Sequence, residues 1–299
     1  MSTVVAAPPS PLAAWALATR PKTLVAAIVP VAVGAALPWR EGTFSLWPTI
    51  AALLGALFIQ VGTNLVNDYY DFKRGADTAE RLGPARATQQ GWLTPRAVIT
   101  GAFVCFAMSM LVGLYLVTVG GLPILVIGLV SILAGYSYTG GPFPLGYNGL
   151  GDLFVLVFFG FVAVGGTYWL SAHEFKAVVM IAALPVGLLG VALLAVNNTR
   201  DARTDVLAGK RTLVVRFGEG FGKAEYVTCL VVSALVPVAL LVSGQAKAWV
   251  LLPLLALPLA LAPLKVLFTQ TGAALNQALA GTARFQLVFG VLFAVGLAQ

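Results

Sequence analysis

The sequence has little charge and only two cysteines, and each shortage excludes a class of protein. Only 10% of its 299 residues are charged, whereas soluble globular proteins carry about a quarter. The cysteines, Cys105 and Cys229, lie in separate apolar runs, so they indicate neither a disulfide framework nor a thiolate metal site. The chain is instead 59% hydrophobic, which indicates a membrane protein.

Long charge-free runs predict the membrane-spanning helices, since a bilayer core takes about 20 apolar helical residues. Nine spans are predicted, at residues 23–38, 46–66, 97–117, 122–138, 152–170, 177–197, 226–243, 248–268 and 283–298. The polar and apolar alternation of a membrane β-barrel is absent from the sequence. We therefore predict an all-α polytopic membrane protein in which residues 1–299 form a single transmembrane domain.

The distribution of basic residues predicts the orientation. With the N-terminus in the cytoplasm, 15 of the 18 Lys and Arg residues lie on the cytoplasmic side, as the positive-inside rule requires. The connections at residues 73–96 and 200–223 are then cytoplasmic loops, and the first twenty residues are a short cytosolic lead without a signal peptide. The net charge of +7 is dispersed over such loops, so it predicts no nucleic-acid partner.

Acidic residues concentrate in two clusters at predicted helix ends. Asn64, Asp68 and Asp71 lie at the end of the second span, with Asn67 between the first two and Asp77 beyond them, and the second cluster lies at the end of the sixth span. That cluster comprises Asn197, Asp201 and Asp205. Steps of three and four residues place the members of each cluster on one helix face. An isolated Asp at a helix end often only solvates the membrane boundary or caps the helix, but two matched clusters concentrate like charge that needs a cation.

Two facing acidic clusters suit the binding of a diphosphate through magnesium. Mg²⁺ takes a few carboxylate oxygens and completes its coordination with water and substrate phosphate. Cations near both clusters can meet the remaining phosphate oxygens; they are Lys22, Lys73, Arg74, Arg86, Arg200, Arg203, Lys210 and Arg211. The pattern predicts a diphosphate pocket on the cytoplasmic face.

The segments around these clusters resemble those of a known family. They are RPKT at 20–23, NLVNDYYDFKRGAD at 64–77, GPAR at 83–86, YNGLGDLFVLVFF at 147–159 and NNTRDARTDVLAGKRTLVVR at 197–216. The chain resembles, nearly end to end, the UbiA superfamily of intramembrane aromatic prenyltransferases, and most closely its 1,4-dihydroxy-2-naphthoate polyprenyltransferase branch. The second cluster has the family's NxxxDxxxD spacing, whereas the first is one residue shorter, which leaves open the relative roles of Asp71 and Asp77.

The resemblance implies a nine-helix bundle with two cytoplasmic cap loops. It also implies a reaction. A polyprenyl diphosphate and 1,4-dihydroxy-2-naphthoate would give diphosphate, CO₂ and a demethylmenaquinone at a site in the cytoplasmic (inner) membrane. Metal and diphosphate ligands carried over are Asn64, Asp68, Asp71, Asn197, Asp201 and Asp205, with Asp77 as an extra ligand and Mg²⁺ as the metal. Substrate contacts carried over, in addition to Asn64, Asn67 and Asn197, are Lys22, Arg86, Lys210 and Arg211.

Three further residues flank the predicted connection between spans four and five. Tyr136 and Tyr138 could stabilise positive charge on the prenyl group, and Asp152 could orient or deprotonate the aromatic acceptor. Interfacial aromatic residues are also a common feature of membrane proteins without any catalytic role. His173, on the outer side, is predicted to be a solvated loop residue.

Several alternatives remain at this stage. A secondary transporter could also pair polar half-sites, although the predicted span interiors carry no charge for a transport path. A lipid phosphotransferase would concentrate its acids in one segment, whereas this chain splits them between two helices. Within the family, the acceptor could be 4-hydroxybenzoate or a chlorin, haem or homogentisate ring.

Overall fold

The computed structural model describes residues 9–78 and 81–299, and this part of the chain is helical with no β-strand. Eleven α-helices follow one another: α1 Pro11–Ala18, α2 Val25–Glu41, α3 Leu46–Lys73, α4 Pro95–Ser137, α5 Gly151–Val155, α6 Ala163–Ala172, α7 Ala177–Leu207, α8 Leu213–Phe217, α9 Glu219–Val242, α10 Pro258–Thr269 and α11 Leu275–Leu297. A π-helical segment, Leu156–Val162, joins α5 to α6, and a 3₁₀ helix, Ala248–Ala256, leads into α10.

Seven helical segments of the described chain are long and apolar enough to cross a membrane. They are Leu46–Lys73, Pro95–Ser137, Gly151–Ala172, Ala177–Leu207, Glu219–Val242, Ala248–Thr269 and Gly272–Leu297. Pro11–Thr23 and Val25–Glu41, bent by 50° where they join, make an eighth if they count as one broken span. The protein is therefore an all-helical, multi-pass membrane protein.

The long helix α4 contains both the predicted third span and the predicted fourth. It runs for 43 residues and is interrupted at Gly121, whose backbone angles of φ 67° and ψ −155° are not helical. Glycine tolerates this positive φ because it lacks a Cβ atom. The chain thus changes direction between residues 97–117 and 122–138, where the sequence predicted the end of one span and the start of the next.

Several helices extend beyond their predicted ends on the side of the acidic clusters. α3 continues to Lys73 and α7 to Leu207, and both acidic clusters are therefore helical. Glycines with positive φ follow both helices, Gly75 at 69° and Gly209 at 70°. Such residues end a helix through their backbone conformation, whereas the sequence prediction ended each span where charge begins.

The predicted cytosolic lead over the first twenty residues is partly helical. Its residues 1–8 lie outside the described residues, but α1 forms at Pro11–Ala18. The Ser10 hydroxyl accepts a hydrogen bond from the Ala13 amide at 3.3 Å, and Pro11 stands at the first helical position. Both features favour helix initiation, so a helix precedes the first predicted span.

Small residues bring the helices of the bundle into close contact. A Cβ atom at Gly34 of α2 would lie 2.5 Å from the Val164 carbonyl oxygen of α6. One at Gly160 of the π-helical segment would lie 3.0 Å from the Cα of Gly187 in α7. Glycine contacts of this kind are typical of packed membrane helices, and here they position the elements that carry the site.

We expect Gly34→Ala to lower the stability of the bundle by about 1–3 kcal/mol, the usual cost of overpacking. The added methyl group would collide with a backbone carbonyl of α6, which cannot move aside as the end of a flexible side chain could. The measurement is the thermal unfolding midpoint of the purified protein in detergent. Gly113→Ala in α4 is the control, because a Cβ atom there meets nothing within 4 Å; equal midpoints for the two variants would contradict the packing account.

Candidate active site

The first acidic cluster lies on the last turns of α3, where it holds the following loop. The Asp68 carboxylate accepts hydrogen bonds from the backbone amides of Ala87 at 3.1 Å and Thr88 at 3.3 Å, and from the Thr88 hydroxyl. Asp68 is buried, with 1% exposure. Its carboxylate therefore fixes the loop over the end of α3, and any bound cation would have to share these oxygens with the loop.

Asp71 is the centre of the site. Its buried carboxylate accepts hydrogen bonds from the Tyr147 hydroxyl at 2.7 Å and from Arg86 at 3.1 Å. The Lys210 ammonium lies 3.8 Å from Asp71 and 3.3 Å from Asp205. The two clusters, 134 residues apart between Asp71 and Asp205, thus meet at one cation.

Lys210 keeps its charge although it is largely buried. Burial alone would lower the pKa of an ammonium group. The negative charges of Asp71 and Asp205 outweigh burial and raise the pKa of Lys210 above its ordinary value. The site therefore holds a positive charge where two carboxylates converge. The same two carboxylates suit a divalent cation, and the positive charge suits a diphosphate.

Two arginines meet at the Asn67 side chain. Its amide oxygen accepts hydrogen bonds from Arg20 at 2.7 Å and Arg86 at 2.5 Å. Arg20 also reaches the Asn64 carbonyl, while the Asn64 amide donates to Thr19 and Thr23. The Asn64 side-chain oxygen keeps no hydrogen-bond donor among the described residues, and it remains available to a ligand.

Asp77 lies next to this arginine pair, on the loop after α3. It forms ion pairs with Arg81 and with Arg86, the latter at 3.4 Å. Burial raises the pKa of Asp77 to about 6, against the opposing charge of Arg81. The predicted extra ligand is thus beside the site, engaged by two arginines.

The second cluster is organised by an arginine within it. Arg200 donates to Asp201 at 2.8 and 2.5 Å and to Asn197 at 2.8 Å. It also donates to Asn276 of α11, whose amide reaches the Leu82 carbonyl at 2.7 Å. Arg200 therefore connects α7, α11 and the loop that Asp68 holds.

Tyr147 is a site residue that the sequence analysis did not single out. Besides its bond to Asp71, its ring lies 4.9 Å from the Arg74 guanidinium and 5.0 Å from the Lys210 ammonium. Burial and the Asp71 carboxylate raise the pKa of Tyr147, so that the hydroxyl stays a hydrogen-bond donor. Arg20 and Tyr147 begin the RPKT and YNGLGDLFVLVFF segments that carry the family resemblance, but neither was assigned a role at the site from sequence, and Asn276 lies outside every such segment.

The remaining predicted residues differ in how close they lie to the site. Tyr138 lies beside Gly151, where a Cβ atom would be 3.0 Å from its hydroxyl, and burial with the Asp152 charge raises the pKa of Tyr138. Tyr136 instead bonds the Tyr70 hydroxyl at 2.6 Å. Lys22, His173 and Arg211 are exposed. The His173 ring contacts Trp169, whereas the side chains of Lys22 and Arg211 form no hydrogen bond, ion pair or ring contact with the described residues.

A long apolar cavity adjoins the site. Its volume is about 330 Å³, and its walls come mainly from α2, α3, α4 and the π-helical segment. Gln60, Thr63 and Tyr138 line one part, while Leu116, Ile124 and Leu170 line another. Gln60 of the cavity wall donates a hydrogen bond to the Thr23 hydroxyl at 3.4 Å, and Asn64 donates to the same hydroxyl at 3.0 Å, so the apolar cavity and the acidic site are neighbours.

The donor set fits magnesium only as an ion shared with a substrate. No group of three or more His, Cys, Asp or Glu residues in the described chain is arranged to hold a metal alone. Mg²⁺, however, is commonly held by one or two carboxylates together with substrate phosphates. The convergence of Asp71 and Asp205 on one ammonium group supplies two such carboxylates at one point.

We expect Lys210→Met to lower the free energy of unfolding by about 3 kcal/mol, because it leaves two carboxylates without their buried partner. Mg²⁺ should restore part of the loss by taking the place of the missing charge. Thermal unfolding in detergent, with Mg²⁺ and with EDTA, measures both effects. Lys265→Met, at an exposed position, is the control; a Lys210→Met midpoint that does not respond to Mg²⁺ would contradict the shared-ion interpretation.

The chain is similar to known proteins over most of its length. The profile of the UbiA prenyltransferase family matches residues 27–293. The chain is 37% identical over 292 residues to the 1,4-dihydroxy-2-naphthoate octaprenyltransferase of Escherichia coli, covering 95% of this chain and 94% of that protein. It is 32% identical over 285 residues to the enzyme of the same name from Bacillus subtilis, covering 95% and 91%.

Solved structures share the fold at low sequence identity. A UbiA homologue from Archaeoglobus fulgidus bound to GPP and Mg²⁺ superposes with a TM-score of 0.64 at 16% identity, covering 94% of this chain and 99% of that one. A UbiA homologue from Aeropyrum pernix K1 gives a TM-score of 0.67 at 14% identity, covering 91% and 97%.

Proposed function

The chain belongs to the UbiA prenyltransferase family, and on that premise we propose that it transfers a polyprenyl group to 1,4-dihydroxy-2-naphthoate. The donor is a polyprenyl diphosphate, and the products are diphosphate, CO₂ and a demethylmenaquinol of menaquinone biosynthesis. Relatives of that activity align over most of the chain. The observation that carries the proposal is that Asp71 and Asp205 meet at Lys210 beside a long apolar cavity.

Both acidic clusters hold the diphosphate through Mg²⁺ in this proposal. The ligands are Asn64, Asp68, Asp71, Asp77, Asn197, Asp201 and Asp205. When bound, Mg²⁺ neutralises the charge that develops on the leaving diphosphate. The cations that now pair with the acids would contact phosphate oxygens of the bound substrate, and the carboxylates would then be available to hold the metal.

Basic residues stabilise the departing diphosphate. Arg86 and Lys210 already lie within 3.8 Å of Asp71, and Arg20 shares Asn67 with Arg86. Fixed charges at the leaving group lower the barrier because they need no reorganisation during the reaction. Lys22 and Arg211, exposed on the loops, provide outer contacts once substrate is bound.

The prenyl chain occupies the apolar cavity, and the aromatic acceptor binds where that cavity meets the site. The rings of Tyr138 and Tyr147 can face positive charge on the allylic carbon as the carbon–oxygen bond breaks. Asp152 orients a hydroxyl group of the acceptor. The apolar walls keep water from capturing the allylic cation, which would otherwise be hydrolysed.

The product assay tests this reaction directly. The purified protein, supplied with a labelled polyprenyl diphosphate and Mg²⁺, should prenylate 1,4-dihydroxy-2-naphthoate with release of CO₂, and EDTA should abolish the product. Asp71→Asn and Asp205→Asn should each reduce turnover about 100-fold or more, since each removes charge stabilisation at the leaving group. Glu174→Gln, on the opposite side of the bundle, is the matched control.

Other outcomes of that assay would change the proposal. Product with 4-hydroxybenzoate alone would keep the mechanism and replace the acceptor. Diphosphate binding without product from any aromatic ring would instead favour a transporter. Full activity of both Asp variants would remove the metal site from these residues.

We also propose nine membrane crossings, with both long loops and the site in the cytoplasm of a cell whose inner membrane holds the protein. The break at Gly121 and the bent pair ending at Glu41 support this count, and the basic loops support the orientation. Reporter fusions should place residue 75 in the cytoplasm and residue 174 outside. Both reporters on the same side would contradict the topology.

A further inference from the structure

A polar side chain lines the apolar cavity one helical turn before the first acidic cluster. Gln60 precedes Asn64 by four residues on α3, so the two side chains share one face of that helix. Gln60 is 8% exposed and belongs to the cavity wall. No step of the proposed reaction uses it. Buried polar groups normally have hydrogen-bond partners, so both ends of the Gln60 amide need one.

The Thr23 hydroxyl determines which end of the Gln60 amide faces it. This hydroxyl donates its single proton to the Arg20 carbonyl at 2.9 Å, so it can only accept hydrogen bonds from other groups. It accepts one from Asn64 at 3.0 Å and one from Nε2 of Gln60 at 3.4 Å. The NH₂ end of Gln60 therefore faces Thr23, and the amide oxygen, Oε1, is left for another partner.

The oxygen Oε1 of Gln60 accepts no hydrogen bond from the described residues. It is not sealed inside the bundle either, whereas both side-chain amide atoms of Gln286 in α11 are unpaired and inaccessible. Because Gln60 lines the cavity, a ligand bound there can reach this oxygen. An unpaired acceptor in an apolar wall favours a ligand that brings a hydrogen-bond donor.

Neither part of the prenyl diphosphate can supply that hydrogen bond. A prenyl chain is a hydrocarbon without N–H or O–H groups, and an ionised diphosphate accepts hydrogen bonds but donates none. The aromatic acceptor carries hydroxyl groups, and its flat ring suits the same cavity. Phe154 and Phe158 line the wall as a stacked pair with ring centroids 5.5 Å apart, and aromatic rings pack favourably on one another.

Two more hydroxyl groups of the wall lie near the contact between α3 and α4. Thr63, one turn after Gln60, lies against Gly135 of α4, where a Cβ atom would be 2.4 Å from the threonine hydroxyl oxygen. Tyr138 follows Gly135 by one turn, and its hydroxyl oxygen lies 3.0 Å from a Cβ atom placed at Gly151. Both residues line the cavity together with Gln60. This part of the wall therefore offers polar contacts to a hydroxylated ring.

The carboxylate of the acceptor decides which of its hydroxyl groups reaches Gln60. Burying an ionised carboxylate in an apolar cavity costs free energy, so the carboxylate stays toward the basic residues of the acidic site. In 1,4-dihydroxy-2-naphthoate the hydroxyl at position 4 is the one farther from the carboxylate. Gln60 lies one helical turn farther from the acidic clusters than Asn64, so it is placed to meet this hydroxyl.

We propose that the amide oxygen of Gln60 accepts a hydrogen bond from the hydroxyl at position 4 of the acceptor. Gln60 then selects a dihydroxynaphthoate over a naphthoate that lacks this hydroxyl, and it takes no proton in the reaction. The inference rests on the proposed function, because it needs an aromatic acceptor with a hydroxyl remote from its carboxylate. It adds a specificity-determining residue outside the metal and diphosphate ligands.

Calorimetric titration with two acceptors that differ by one hydroxyl group tests the assignment. The purified protein in detergent, kept free of oxygen to protect the diol, is titrated with 1,4-dihydroxy-2-naphthoate and with 1-hydroxy-2-naphthoate. We expect the wild type to bind the diol about tenfold more tightly, since the analogue leaves the Gln60 oxygen without a donor. Gln60→Met keeps the length of the side chain and removes the oxygen, so it should bind both compounds with similar Kd.

Thr167→Val is the matched control, because it also removes a polar group from the cavity wall. The Thr167 hydroxyl donates to the Ala163 carbonyl of its own helix at 2.8 Å, one turn from Leu170, and this variant should keep the wild-type ratio of the two Kd values. An unchanged Kd for a prenyl diphosphate shows that Gln60→Met is folded.

Equal affinity of the wild type for the two naphthoates would overturn the inference without any variant, because water would then satisfy the Gln60 oxygen. An unchanged ratio in Gln60→Met would overturn it as well. If the wild type binds both naphthoates but prenylates neither, the proposed function fails while the ratio of Kd values still decides the role of Gln60. Binding of neither compound would contradict both.

Discussion

The ammonium group of Lys210 between Asp71 and Asp205 is the interaction on which the site depends. It joins the end of α3 to the end of α7, and it does so from the loop that follows α7. Two carboxylates at the ends of separate helices would repel each other without a cation. Their mutual approach is stable because a positive charge, from lysine in this structure, compensates both, and the same requirement makes the position suitable for a metal ion that arrives with its substrate.

Compensation of charge also explains how the loops are held over the bundle. Asp68 binds backbone amides of the loop before α4, while Arg200 reaches that loop through Asn276. Buried acids in a membrane protein need such partners, since lipid offers none. The groups that hold the loops in place are thus the groups that a diphosphate and its cation would engage in the proposed reaction.

The acidic site and the apolar cavity differ in polarity, as do the two ends of a prenyl diphosphate. Charged groups gather at the ends of α3 and α7, whereas the cavity is lined almost entirely by apolar side chains. Burying a diphosphate in such a cavity would cost free energy, because its charges would lose their hydration. A prenyl chain placed among carboxylates would not be removed from polar surroundings. In the proposed reaction the substrate would be oriented with its reactive bond at the boundary between the cavity and the acidic site, beside Tyr138, which lines the cavity.

The sequence by itself determined the membrane-embedded helical class, the two acidic clusters and the family, because apolar run length, charge and spacing are local properties of the chain. The break at Gly121 fell where the sequence divided its third and fourth spans, and α3 and α7 continue beyond the predicted spans through both acidic clusters, as the shared helix face of each cluster requires. Only the tertiary structure decided that Asp71 and Asp205 share one lysine and that Arg20 and Tyr147 join them while Lys22 stays exposed. These pairings join residues that are 47 to 134 positions apart in the sequence, and no local pattern encodes how the helices that carry them pack together.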